Sequence, residues 1–180
     1  MADNIFPFKG IWPTIQDSVF IAPTASIIGN VEIGAETNIW FGCLVRGDMN
    51  IIRIGERVNI QDLTVVHVDS QKYGTFIGDG VTIGHSAVIH ACTLQDRSFV
   101  GMQACVMDGA VVETGAMVAA GSLVPPGKIV KAGQLWAGTP ARFVRQCADQ
   151  ENGMIENVPN EYWKIAQDYL KIGIGVVDNK

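Results

Sequence analysis

Apolar residues recur in this chain at every sixth position. From Ile21 the register runs through Ile27, Ile33, Ile39 and Val45. It resumes at Ile54, Ile60 and Val66, and again at Ile77, Ile83 and Ile89. It closes with Leu94, Val100, Val106, Val112, Val118, Val124, Val130 and Trp136. Seventeen of these nineteen anchors are Ile or Val, whose β-branched side chains suit extended backbone. Four residues after an anchor the side chain is usually small, as at Ala25, Thr37, Cys43, Ala87 and Ala104. Glycines gather at the second place of the hexad (Gly34, Gly55, Gly78) or at the fourth (Gly109, Gly115, Gly121). A helix repeats near 3.6 residues and a plain strand at 2. Period six with β-branched anchors predicts short strands joined by corners and wound into a solenoid. A β-sandwich would place turn signals every 8–12 residues instead.

The register is broken three times. Nine residues separate Val45 from Ile54, and eleven separate Val66 from Ile77; each gap predicts one hexad with a loop spliced in at a corner. Five residues separate Ile89 from Leu94, a shortened hexad. After Trp136 the repeat ends. Apolar residues then return at helical spacing, at Tyr162, Ile165, Ala166, Tyr169 and Leu170. They predict a C-terminal helix ending near Gly173, with 148–160 read as a linker. The chain divides accordingly into a repeat domain over 1–146 and a linker with helix over 147–180. The pattern resembles the hexapeptide-repeat left-handed β-helix, a three-sided prism with three hexads per coil. The fold class expected is therefore mainly β: a left-handed parallel β-helix with a C-terminal α-helix. The left hand follows from the resemblance, since it opposes the usual right-handed crossover.

Composition narrows the function. The chain has 180 residues, enough for one domain with a real core. Hydrophobic residues make up 48%, but no apolar run is long enough to span a bilayer. The start, "MADNIFPFKG", lacks the basic and apolar regions of a signal peptide, so a cytoplasmic protein is expected. A net charge of -5 without Lys/Arg clusters argues against a nucleic-acid partner. The cysteines at 43, 92, 105 and 147 show no zinc-ribbon spacing and read as reduced, packing thiols. Cys92, two residues after His90, is the one that stands where a soft ligand would.

The three histidines, His67, His85 and His90, all fall in one 24-residue window beside the register breaks. In a prism every third anchor lies on one face, which aligns Val45, Val66 and Ile89. The residues after them, Arg46, His67 and His90, point outward as a ladder with rungs about 4.8 Å apart. Two imidazoles one rung apart can share a metal ion, with Zn–N bonds of about 2.0–2.1 Å. His85 belongs to the preceding hexad, around a corner from His90. Five extended residues reach at most about 16–18 Å and a bend leaves about ten. A neighbouring chain can supply it if the prisms pack side by side around a three-fold axis, in a ring closed by heterologous contacts. Three histidines and one open position are the arrangement of catalytic zinc. The competing use is one histidine as a general base, as in acyltransferases of this fold, which leaves the other two unexplained.

With "VRGDMNIIRIGERVNIQDLTVVH" and "IGDGVTIGHSAVIHACT", the chain resembles the γ-class carbonic anhydrases over about residues 8–146. The resemblance implies a homotrimer with metal sites at its interfaces and His67, His85 and His90 as ligands. Zinc is the expected metal, with iron or cobalt as substitutes. Arg46 and Asp48 would form an ion pair across the interface. Gln61 and Asn59 would hydrogen-bond metal-bound solvent or bicarbonate. Tyr162 would stand near the pocket, with Tyr169 as a second candidate. The implied activity is reversible hydration of carbon dioxide to bicarbonate by a metal-bound hydroxide. The glutamates that well-known active members carry next to the RGD motif and in an acidic loop are missing. Met49 and "VDSQKY" stand in their places, which leaves Asp69 or buffer to carry the proton. Relatives lacking these glutamates have been linked to other chemistry. The alternatives are a metal-dependent thioesterase or esterase, a coenzyme A-dependent acyltransferase, or a non-catalytic trimeric binding module.

Overall fold

A computed structural model describes residues 4–175. The chain winds as a left-handed parallel β-helix with three flat faces, closed along one face by a long helix. One face stacks Phe20–Ile21, Asn38–Ile39, Asn59–Ile60, Thr82–Ile83, Phe99–Val100, Met117–Val118 and Gln134–Gly138 in parallel. The next carries Leu44–Ile54, Val65–His67, Val88–His90, Cys105–Val106 and Leu123–Val124. The third carries Thr75–Ile77, Thr93–Leu94, Val111–Val112 and Ile129–Val130. The registers follow the period: Ile39 pairs with Ile60, and Ile60 with Ile83. Likewise Val45 pairs with Val66, and Ile89 with both Val66 and Val106. These anchors are fully buried and meet along the axis. One β-branched side chain per face per coil is what a narrow triangular core admits at interior packing density.

Corners need backbone room. A Cβ on Gly84 would lie 2.5 Å from the Met102 nitrogen of the next coil, so only glycine lets the coils stack there. That fixes the corner on which His85 stands.

Two expectations are corrected. The insertion between Val45 and Ile54 lies at a corner, as expected, since Val45 pairs with Val66 on one face and Ile54 with Ile77 on the next, but it is strand and not loop. Leu44–Ile54 runs as one strand, and its register against Ser26–Ile33 slips between Gly29 and Val31. The extra residues, Asp48 among them, are absorbed in this irregularity, which leaves Asp48 beside the histidine face. Residues 148–160 are not a linker either. Helix α1 spans Asp149–Lys171. Gly153 and Pro159 disfavour helix locally, but Ile155, Pro159 and Ala166 are buried against the prism, and packing overrides propensity. The helix start is held by Glu151, which accepts the Ala148 N–H at 2.8 Å and pairs with Arg145 through both oxygens. Past its end, Gly173 adopts a left-handed conformation, and its N–H bonds the Leu170 carbonyl at 3.0 Å.

The Glu151 start is pH-sensitive. Hydrogen bonding by Arg145, then by the Ala148 N–H, pulls the Glu151 carboxyl down to about 2 from 4.5. A depressed carboxylate stabilises the fold above its unfolded pKa and loses that contribution as the pH falls through its folded one. The gap in denaturant midpoint between wild type and Glu151→Gln should therefore close as the pH falls from 4.5 toward 2. A gap that stays constant over that window would count against a charge-dependent helix start.

Candidate metal centre

His67 and His90 are directly paired residues of adjacent parallel strands. His67 Nδ1 lies 3.3 Å from His90 Nε2. Each ring is held from behind by a carboxylate. Asp48 Oδ1 is 3.0 Å from His67 Nε2, and Asp108 Oδ1 is 2.6 Å from His90 Nδ1. An ionised carboxylate only accepts, so those two nitrogens carry the protons. The nitrogens that face each other are then both lone-pair donors, and a cation between them completes the arrangement. A tetrahedral ion with bonds of about 2.0–2.1 Å has ligand–ligand edges of about 3.3–3.4 Å. The donor set therefore fits a zinc-like ion.

Arg46 stands next on the same ladder, because Val45 pairs with Val66. Its guanidinium grips Asp48 within the same chain, where the resemblance would draw that pair across an interface. Burial pushes the Asp48 carboxyl up. Hydrogen bonds from His67 and Arg46, with the Arg46 charge, outweigh this and hold it below the usual carboxylate range.

His85 faces elsewhere. Its Nδ1 is 3.0 Å from Asp62 Oδ2, and its Nε2 is 3.3 Å from the Tyr162 hydroxyl on α1. Burial raises the Tyr162 phenol, with Asp62 and Glu161 adding to the shift, so it keeps its proton at neutral pH. Gln61 shares this corner and donates to Asn59 Oδ1 at 3.1 Å. Asn59 is fully buried and donates to Thr82 Oγ1 at 2.7 Å. Asn59 thus sits behind Gln61 and fixes the amide that faces the cavity. Gln61, Gly84, His85 and Tyr162 line one end of a trough of about 560 Å³ between α1 and the prism. Apart from Glu151 the rest of its wall is apolar, with Phe99, Met102, Met117, Leu135, Met154 and Val158.

The structure therefore gathers the candidate residues into two separate clusters. Arg46, Asp48, His67 and His90 make one; Asn59, Gln61, His85 and Tyr162 make the other. Among the described residues, no three metal-ligating side chains converge within a single chain.

Other candidates fall away for physical reasons. Cys92 is 2% exposed in the core, and burial raises its thiol far above the usual range. Tyr169 packs among Phe20, Trp40 and Phe41, with ring centroids 5.6–5.7 Å away. Asp69 accepts backbone N–H groups from Lys72 at 2.7 Å and Gln71 at 3.0 Å. Those bonds, Lys72's first, lower its pKa and make it a poor base at neutral pH. Asp62 and Asp108 are site residues that the expected set did not include. The signal was there: Asp108 lies 18 residues after His90, about one coil. Asp62 follows Gln61, and since Ile60 pairs with Ile83 it lies across from His85.

No family model matches the chain. Over 160 residues it is 46% identical to "Gamma carbonic anhydrase 1, mitochondrial" of Arabidopsis thaliana, covering 86% of this chain and 58% of that protein. The chain thus spans less than two thirds of the length of that plant relative. It is 44% identical over 165 residues to "Carbonic anhydrase" of Geobacillus kaustophilus, covering 92% of this chain and 90% of that one. A solved hexapeptide transferase family protein from Anaplasma phagocytophilum superposes with a TM-score of 0.90 at 47% identity, covering 94% of this chain and 99% of that one.

Proposed function

The chain belongs to the γ-class carbonic anhydrase family, and from that premise we propose that it is a carbonic anhydrase-like lyase interconverting carbon dioxide and bicarbonate at a metal site shared between two copies. The observation that carries this reading is the pair of facing nitrogens, His67 Nδ1 and His90 Nε2, 3.3 Å apart. Among the described residues their own chain brings them no third ligand. His85, with Nε2 turned outward from Asp62, is the ligand that a neighbouring copy would bring. Three such copies close a ring. Zinc suits three imidazoles, and iron or cobalt can replace it. A divalent ion there supplies Lewis acidity that makes water acidic enough to react near neutral pH.

The residues divide the remaining work. Asp48, Asp62 and Asp108 fix the three ring orientations, and Arg46 braces Asp48. Gln61, set by Asn59, presents its amide to the substrate oxygens. Proton removal has no dedicated group, since the histidines are ligands and Asp69 is held below its usual range. Hydration should therefore rise with buffer concentration at fixed ionic strength. Stopped-flow assays on protein of measured metal content check this. A fast rate indifferent to buffer would contradict the proton route, and no hydration by loaded protein would sink the lyase reading.

The apolar trough favours a second reading. Its 560 Å³ far exceeds what carbon dioxide needs, and the same centre would cleave an ester or thioester whose acyl chain lies along it. A panel of acyl thioesters separates the two activities.

A further inference from the structure

The Tyr162–His85 contact carries an inference that deepens the metal-site reading and rests on it. We propose that the Tyr162 hydroxyl is a built-in competitor for the metal-binding nitrogen of His85. Asp62 accepts from His85 Nδ1 at 3.0 Å, which assigns the ring proton to Nδ1 and leaves one lone pair, on Nε2. The Tyr162 hydroxyl lies 3.3 Å from that nitrogen, and the only bond open to the two atoms is O–H donating to N. One lone pair serves one partner. Metal loading must therefore break the tyrosine bond before His85 can coordinate.

Tyr162 is not a loose surface group that happens to drift there. Its ring meets Trp40 edge-on, with centroids 5.4 Å apart, and α1 holds it in the aromatic cluster with Phe41 and Tyr169. The hydroxyl is thus delivered by the packing of the helix onto the prism. In a subunit without metal it keeps His85 in the ligating tautomer. In the loaded site the hydroxyl is set free at the mouth of the trough that Gln61 also lines. Tyr162 is in this sense a positioning residue that sets metal affinity from the opposite side to Asp62.

Zinc affinity of chelator-stripped protein, measured by competition with a chromophoric chelator, tests this in wild type, Tyr162→Phe and Asp62→Asn. Removing a hydrogen bond of ordinary net strength should tighten zinc by about 2- to 12-fold in Tyr162→Phe. Removing the carboxylate behind His85 should weaken it by about 10- to 100-fold in Asp62→Asn. Circular dichroism confirms that each variant is folded. Tyr162→Phe affinity equal to or weaker than wild type, with Asp62→Asn still weaker, overturns the competition while leaving the metal site intact. Wild type that binds no zinc overturns both.

Discussion

Subunits carrying His85→Ala, mixed with subunits carrying His90→Ala, will regain the zinc and the hydration activity that each lacks alone. Each substitution removes one imidazole from every site. Losing His90 leaves His67 Nδ1 facing nothing at 3.3 Å. Losing a direct ligand should cost more than the 10- to 100-fold typical of its supporting carboxylate, so more than about 100-fold in affinity. In a mixed ring, a His85→Ala subunit still offers an intact His67/His90 pair, and a His90→Ala neighbour still offers His85. Random assembly puts them in the productive order at about a quarter of the interfaces. Mixing His67→Ala with His90→Ala must restore nothing, because both lesions strike the same half-site. Elemental analysis and stopped-flow hydration after unfolding and refolding the mixtures provide the readout. Recovery in the second mixture, or none in the first, defeats the division of ligands between subunits.

Ile89→Ala should lower the stability of the whole prism. Ile89 is fully buried, sits between Val66 and Val106, and precedes His90 directly. Truncation leaves a cavity that a triangular core cannot collapse to fill, at a cost of about 2–5 kcal/mol. For a chain of this size, each kcal/mol moves the melting temperature by about 2–4 °C, so a fall of roughly 4–20 °C is expected by calorimetry. Coils of a solenoid contact chiefly their neighbours. The lost packing therefore falls on the rungs that hold both His67 and His90, and zinc affinity should drop with it. A melting temperature within about 2 °C of wild type would mean that the core repacks around the gap.

Much of this was legible in the chain before any contact was known. The anchor at every sixth residue needs only local reasoning: one inward side chain per short strand, then a corner. Once every third anchor shares a face, His67 and His90 become neighbours and His85 is sent around a corner. What stayed hidden depends on surroundings. Gly153 and Pro159 spoke against a helix that burial of Ile155 and Ala166 imposes. Nine residues between Val45 and Ile54 fit a loop at the corner as well as strand carried around it. Only pairing with Ser26–Ile33 chose between them, and that choice set Asp48 beside His67.

By itself, then, the sequence determined the solenoid, because repeat spacing converts directly into position along a coil; three hexads per coil came with the resemblance, and the separation of the histidines followed from the two together. Tertiary structure alone decided which nitrogen of each ring is free. That choice belongs to Asp48, Asp62, Asp108 and Tyr162, which lie a coil away or on another element. An imidazole's two nitrogens are told apart only by the groups that reach them.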